Sequence, residues 1–241
     1  MVNKRLQFVL SAVAAAGLSG SAFAGSITGT VKYEGPVPAA MKQPIQMSAD
    51  PACALKHKTP VQPEALVLGP GQTLGNVFVQ IKSGVPDKAY PAPTTPVTLD
   101  QNGCMYSPHV IGIMVGQPFK IINSDGLLHN VHALPTVNAG FNRAMPANVK
   151  EAEFKFTKPE AMFKVKCDVH PWMGAWVSVM KHPYFAVTGA DGKFTIKDLG
   201  PGTYEIEVWH EKLKTKTATV KISGDEAQTA DFTFTPPQKA N

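Results

Sequence analysis

Apolar and polar residues alternate in short runs along most of the chain. SITGTVKY puts Ile27, Val31 and Tyr33 on one side, and NVFVQIK does the same with Val77, Val79 and Ile81. FKVKC aligns Phe163, Val165 and Cys167. KFTIKDL aligns Phe194 and Ile196, TYEIEVW aligns Tyr204, Ile206 and Val208, and DFTFT aligns Phe232 and Phe234. A period of two is the mark of a strand with one face buried. Gly, Pro and Asp separate the runs, and no segment beyond the first residues carries a helical period. The pattern predicts an all-β chain built of sandwiches. GADGKF (189–194) and LGPGTY (199–204) read as hairpin turns between strands.

The first residues break the pattern. Lys4 and Arg5 precede an apolar stretch from Phe8 to Leu18, followed by Ala22-Phe23-Ala24. A basic start, a short apolar run and small residues two apart predict a secretory signal peptide over residues 1–24, cleaved after Ala24. The mature chain is then exported, and periplasmic. No later run approaches the ~20 apolar residues of a membrane span, so none is expected in the mature protein. Loss of Lys4 and Arg5 lowers the net charge from +5 to +3. Without Lys/Arg clusters, so mild a bias gives no reason to expect a nucleic-acid partner.

The segment FAVTGADGKFTIKDLGPGTYEIEVWHE resembles the carboxypeptidase regulatory, transthyretin-like sandwich family. Its Asp-Gly turn, Phe-containing strand and Pro-Gly turn before Tyr carry the likeness. SITGTVKYEGPVP resembles that family's opening strand. Opening and ending thus flank something else. The resemblance implies a discontinuous sandwich over residues 25–90 and 183–236, with a second module, 91–182, inserted between. Insertion at a surface loop is physically ordinary. Two consecutive domains after an irregular N-terminal extension are the alternative. The tail PPQKAN is expected to fray.

Within the inserted module, KCDVHPWMGAWV brings a thiol, an imidazole and a thioether together as Cys167, His170 and Met173. Soft sulfur beside nitrogen favours copper, and a blue-copper centre needs two imidazoles and one thiolate with a weak axial Met. A second imidazole is available in NSDGLLHNVHA as His129. Zinc is the competing ion, but it makes little use of Met. Residues 95–181 resemble a cupredoxin, of the amicyanin and plastocyanin-like type 1 copper group. The shared features are the N-x-D-x-x-x-H-N segment, the Cys-x-x-His-x-x-Met spacing and a Pro after the second His. The resemblance implies a Greek-key sandwich binding one type 1 copper per chain. His129, Cys167 and His170 would be its equatorial ligands and Met173 the axial one. It implies that Asn130 ties the two ligand loops together. It also implies that the His170 edge reaches the surface, where Pro171 and Trp172 form an apolar patch for a redox protein partner.

Three cysteines cannot all pair, and Cys167 is the one expected to stay free. Cys53 and Cys104 suit a disulfide in an oxidising compartment; with His57 and His109 they also make a loose Cys2His2 set that could hold a second metal. His132, three residues past a ligand in an extended segment, should face away from the copper. His182 and His210 are expected at the surface, and Trp209 in strand packing. No catalytic triad or phosphate-cradling loop is recognisable. These readings favour a non-enzymatic single-electron carrier, with a copper delivery protein or a copper-dependent redox enzyme as alternatives.

Overall fold

The computed structural model describes residues 24–236. Residues 1–23 of the expected signal peptide and all of the PPQKAN tail except Pro236 lie outside these residues. In chain order the strands are β1 (Gly25–Tyr33), β2 (Phe78–Ser83), β3 (Val97–Asn102), β4 (Met105–Ser107), β5 (Val110–Met114) and β6 (Pro118–Asn123). There follow β7 (His129–Leu134), β8 (Phe141–Met145), β9 (Glu151–Lys155), β10 (Glu160–Lys166), β11 (Gly174–Met180) and β12 (Phe185–Val187). The last are β13 (Lys193–Leu199), β14 (Gly202–His210), β15 (Lys214–Ile222), β16 (Ala227–Thr229) and β17 (Phe232–Phe234). One short helix, α1 (Pro51–Ala54), lies in the long connection between β1 and β2. The all-β expectation holds. Among the described residues, no helix is long and apolar enough to cross a membrane.

Four sheets form two sandwiches. An inner pair has the orders β5-β11-β10-β7-β8 and β4-β3-β6-β9. Their facing sides enclose Leu99, Ile111, Ile113, Phe119, Ile121, Val131, Phe163, Val165 and Val177. An outer pair has the orders β13-β1-β16, with β17 also on β1, and β12-β2-β14-β15. Here every alternating residue singled out in the first and last runs is buried: Ile27, Val31, Tyr33, Phe194, Ile196, Tyr204, Ile206, Val208, Phe232 and Phe234. At Gly29 a Cβ would stand 2.0 Å from the Ala230 carbonyl oxygen. Only glycine lets β1 pass this close to the final segment.

The two turns expected to close hairpins do something else. GADGKF joins β12 to β13 and LGPGTY joins β13 to β14, and each connection crosses from one outer sheet to the other. The same turn chemistry serves because Gly192 has φ +67° and the Tyr204 hydroxyl donates to the Gly200 carbonyl at 2.8 Å. A β-arch and a hairpin share these local requirements. Pairing is decided by β13 finding β1, far away in sequence.

Between the sandwiches lies a third small cluster. Phe78, Val110 and Met180 pack with Trp176, Phe185 and Trp209. Trp176 meets Trp209 edge-on at 5.3 Å, and Phe78 stacks on Phe185 at 5.8 Å. The His109 ring nitrogen Nε2 donates to Glu211 at 2.5 Å across the same junction. His182 and His210, expected at the surface, are buried instead. Burial holds His210 uncharged, lowering its pKa to about 4. Alternation in TYEIEVWH put His210 on the same face as Tyr204, Ile206 and Val208, so its burial follows from the strand it ends.

The connection from β1 to β2 does not stay with its own sandwich. Ile45, Met47, Cys53 and Val61 pack into the inner core, whereas Leu66, Leu74 and Val77 belong to the outer one. The chain therefore leaves the outer sandwich, crosses one end of the inner one, and returns. The boundaries drawn from the sequence put this stretch with the outer sandwich; its packing is with the inner.

Candidate metal centre

That end of the inner sandwich carries the sequence's soft donors. His129 is the first residue of β7, held in register opposite Met145 of β8. Cys167 follows β10 and Met173 precedes β11, so the intervening loop spans a paired hairpin. The loop is closed on itself: Cys167 N donates to Met173 O at 3.2 Å and Met173 N to His170 O at 3.0 Å. His129, Cys167, His170 and Met173 are all buried.

Three of the four expected ligands converge. One donor atom each from His129, Cys167 and His170 lies within 4.8 Å of the other two. The two imidazoles face one another Nδ1 to Nδ1 at 2.9 Å, and Cys167 Sγ is 3.9 Å from His170 Nδ1. Each ring turns its other nitrogen to a carboxylate: His129 Nε2 to Asp125 Oδ2 at 2.9 Å, and His170 Nε2 to Asp50 Oδ2 at 2.9 Å. A proton on each Nε2 leaves both Nδ1 lone pairs directed at the same point. A proton or a metal cation between the two Nδ1 atoms satisfies both, with the Cys167 sulfur beside them. Burial disfavours a charged His129 ring, but Asp125 and Cys167 outweigh it and raise its pKa to about 9. Burial likewise raises the Cys167 thiol. Hydrogen bonds from His129 and from backbone N–H groups overcome it and bring the thiol down to about 7. The donor set thus suits a thiophilic, nitrogen-seeking cation such as copper.

Asn130 spans the two ligand segments. Its Oδ1 accepts from Asp168 N at 2.7 Å and from Cys167 Sγ at 3.3 Å, and its Nδ2 donates to Asp168 Oδ2 at 3.0 Å and to Asn142 Oδ1 at 2.6 Å. His132 turns away, its Nδ1 facing Asp168 at 3.0 Å. Tyr106 donates its buried hydroxyl to the Asn130 carbonyl.

Cys53 and Cys104 are bonded to each other, S–S 2.01 Å. Their set with His57 and His109 does not assemble. His57 Nε2 pairs with the Gly103 carbonyl at 2.7 Å, and His109 pairs with the Gly174 carbonyl at 2.9 Å and with Glu211. The disulfide stands instead against the metal centre. Cys53 Sγ is 3.5 Å from His170 Nε2, and Cys104 N donates to the same Asp125 that receives His129, at 2.7 Å.

The expectation of a surface-reaching His170 fails. Its ring is 2% exposed, because the long connection lays Asp50 and Cys53 over the outer nitrogen. Trp172 closes another side, its ring 5.1 Å from His170 and its Nε1 donating to the Cys104 carbonyl at 3.0 Å. Pro171 is exposed and Trp172 half-buried.

Asp50, Asp125 and Asp168 went unassigned in the sequence. A signal was present for Asp50: Asp before Pro marks a helix start, and Asp50 Oδ1 caps α1 by accepting from Ala52 N at 2.9 Å. Nothing local said that its other oxygen meets His170.

Comparisons with known proteins found the following similarities. Residues 169–235 match the family model of the carboxypeptidase regulatory-like domain. No curated protein matches the chain. Among solved structures, an oxidised mutant of amicyanin is 24% identical over 42% of this chain and 98% of its own, with a TM-score of 0.32. A mutant of amicyanin in its Cu(I) form is 23% identical over 42% and 98%, also at 0.32. A Cu-containing nitrite reductase (NirK) from Thermus scotoductus SA-01 is 23% identical over 41% of this chain, with a TM-score of 0.31. The chain spans only 25% of that reductase's length. The protein is all-β, with two sandwiches, and its residues 169–235 match the carboxypeptidase regulatory-like domain. The regulatory-like match begins inside the His170 loop and takes in β11, a strand of the inner sandwich.

Proposed function

We propose that this is an exported single-electron carrier holding one copper ion on His129, Cys167 and His170, with Met173 as the weak axial ligand. The observation that carries it is the convergence of two Nδ1 lone pairs and one acidic thiol on a single buried point. Copper bound there supplies one-electron redox chemistry, and its bond to thiolate gives intense visible absorption. The protein residues do the rest. Asp125 and Asp50 fix ring orientation, as carboxylates behind metal-bound imidazoles generally do. Asn130 locks the two ligand loops, so the donors change little on gain or loss of an electron. The outer sandwich serves as scaffold and docking surface, in a domain arrangement of 25–90 and 183–236 around 91–182, except that residues 45–61 belong by packing to the inner module. The Cys53–Cys104 disulfide supports an oxidising, periplasmic setting. The partner is a redox protein. With His170 covered, an electron leaves by way of Trp172 or the Asp50 side, near exposed Pro171.

Adding Cu(II) to the purified chain should bind one equivalent and produce a strong visible band. Cys167→Ser should abolish the band while the fold, read by circular dichroism, persists. A band surviving that substitution overturns the ligand set. Direct perturbation of the spectrum by small anions would point to an open coordination position and an enzyme instead.

A further inference from the structure

The disulfide lies directly beside His170. Cys53 Sγ approaches Nε2 of His170 at 3.5 Å, and one donor atom each of Cys53, Cys104 and His170 lies within 4.8 Å of the others. All three residues are buried. The Asp50 carboxylate meets the same nitrogen at 2.9 Å, and its side chain is 35% exposed, so this corner has a route to solvent. Asp50 Oδ1 is occupied by the α1 cap, which leaves Oδ2 aimed at the ring. Two sulfurs and one imidazole nitrogen therefore share a corner that differs from the Cys167 site, and the Asp50 oxygen meets that nitrogen at its edge. The corner uses the opposite nitrogen of the same ring.

We infer that reduction of the Cys53–Cys104 bond creates a second metal site, formed by the two thiolates and Nε2 of His170 with the fourth position left to solvent, for a thiophilic d10 ion such as Zn(II) or Cu(I). The geometry suits it. With M–S of about 2.3 Å and M–N of about 2.05 Å, a tetrahedral site has an S···N edge of about 3.5 Å. The Cys53–His170 separation already has that length. The sulfurs need only part from bonding distance to the ordinary edge between two thiolates. The chemistry balances with an external dithiol. Its two thiols reduce the Sγ–Sγ bond by successive exchange, become a disulfide themselves, and leave Cys53 and Cys104 as thiols. Metal binding then releases those two protons, and the Nε2 proton if the ring bridges as imidazolate. The bond and the metal exclude each other, so the thiol redox state of the surroundings decides whether the corner crosslinks or binds.

The test isolates this site from the Cys167 centre, so each reading can fail alone. The Cys167→Ser chain is reduced with a phosphine, freed of reductant without oxygen, and titrated with Co(II). One equivalent should bind, with tetrahedral visible bands and the charge-transfer intensity of two thiolates. The disulfide-intact chain should bind none. Adding His170→Gln should weaken binding at least tenfold and shift the visible bands. Adding Cys53→Ser with Cys104→Ser should abolish it. Failure of the reduced chain to bind Co(II), or binding unaffected by His170→Gln, overturns the site. If reduction unfolds the chain, Co(II) is added and near-ultraviolet circular dichroism is followed. Metal-dependent recovery of the folded signal supports the site, and its absence overturns it.

Discussion

Asp125 Oδ2 accepts from Nε2 of His129 at 2.9 Å, inside the protein, and the same carboxylate also receives the backbone of Gly103 and Cys104. Lys56 adds an ion pair at 3.1 Å. Four donors on one carboxylate hold it ionised, so the ring keeps its proton on Nε2 and offers Nδ1 inward. Asp125→Asn should lower copper affinity about 10- to 100-fold. Competition with a calibrated chelator measures this, and affinity within twofold of the parent would contradict it.

The disulfide closes a span of 51 residues. On chain-entropy grounds such a crosslink is worth about 4 kcal/mol. Cys53→Ser with Cys104→Ser should therefore lower the unfolding free energy by roughly that amount, read from urea transitions. The span ties the long connection to the β3–β4 turn, so hydrogen exchange should rise first in residues 45–61.

Glu160 is buried and accepts from the backbone N–H groups of Thr136, Val137 and Asn138. Burial opposes its charge, yet these bonds and the Asn138 side chain lower its pKa from 4.5 to about 2. Its folded carboxylate ionises more readily than its unfolded one. The stabilisation is complete above the unfolded value and is lost as pH falls from there towards 2. Glu160→Gln should cost about 2 kcal/mol at neutral pH. It should also flatten the acid limb of the stability profile in that window, as urea midpoints at neutral and acid pH will show.

Gly112 lies on β5 under the junction of the sandwiches. A Cβ there would meet the Phe185 ring at 2.4 Å and the Phe78 ring at 2.8 Å. Gly112→Ala should force these stacked rings apart at a cost of about 1–3 kcal/mol. Thermal unfolding of the variant should show a lowered or split transition, with tryptophan emission from Trp176 and Trp209 reporting separation. An unchanged single transition would show that the rings yield freely.

Period-two alternation made the strands legible, because a half-buried strand writes its buried face directly into sequence. Ile27, Val31 and Tyr33 are buried as read. Sheet membership was not legible: the Gly192 turn has the same local chemistry whether β13 pairs with its neighbour or with β1. At the site, one donor atom each of His129, Cys167 and His170 lies within 4.8 Å of the others. The cover over His170 was hidden for a different reason. Asp50 is distant in sequence from the His170 loop, and no periodic pattern joins an irregular connection to the surface it crosses.

Strand β1 lies between β13 on one side and β16 and β17 on the other. Strand β1 thus finds its strand partners far along the chain, in residues 193–199 and 227–234. Loop closure of that length is slow, whereas the inner sandwich contains all its own strands. Assembly has an order built in: the inner sandwich can mature while the first strand waits, and the outer one is sealed only when residues 227–234 arrive.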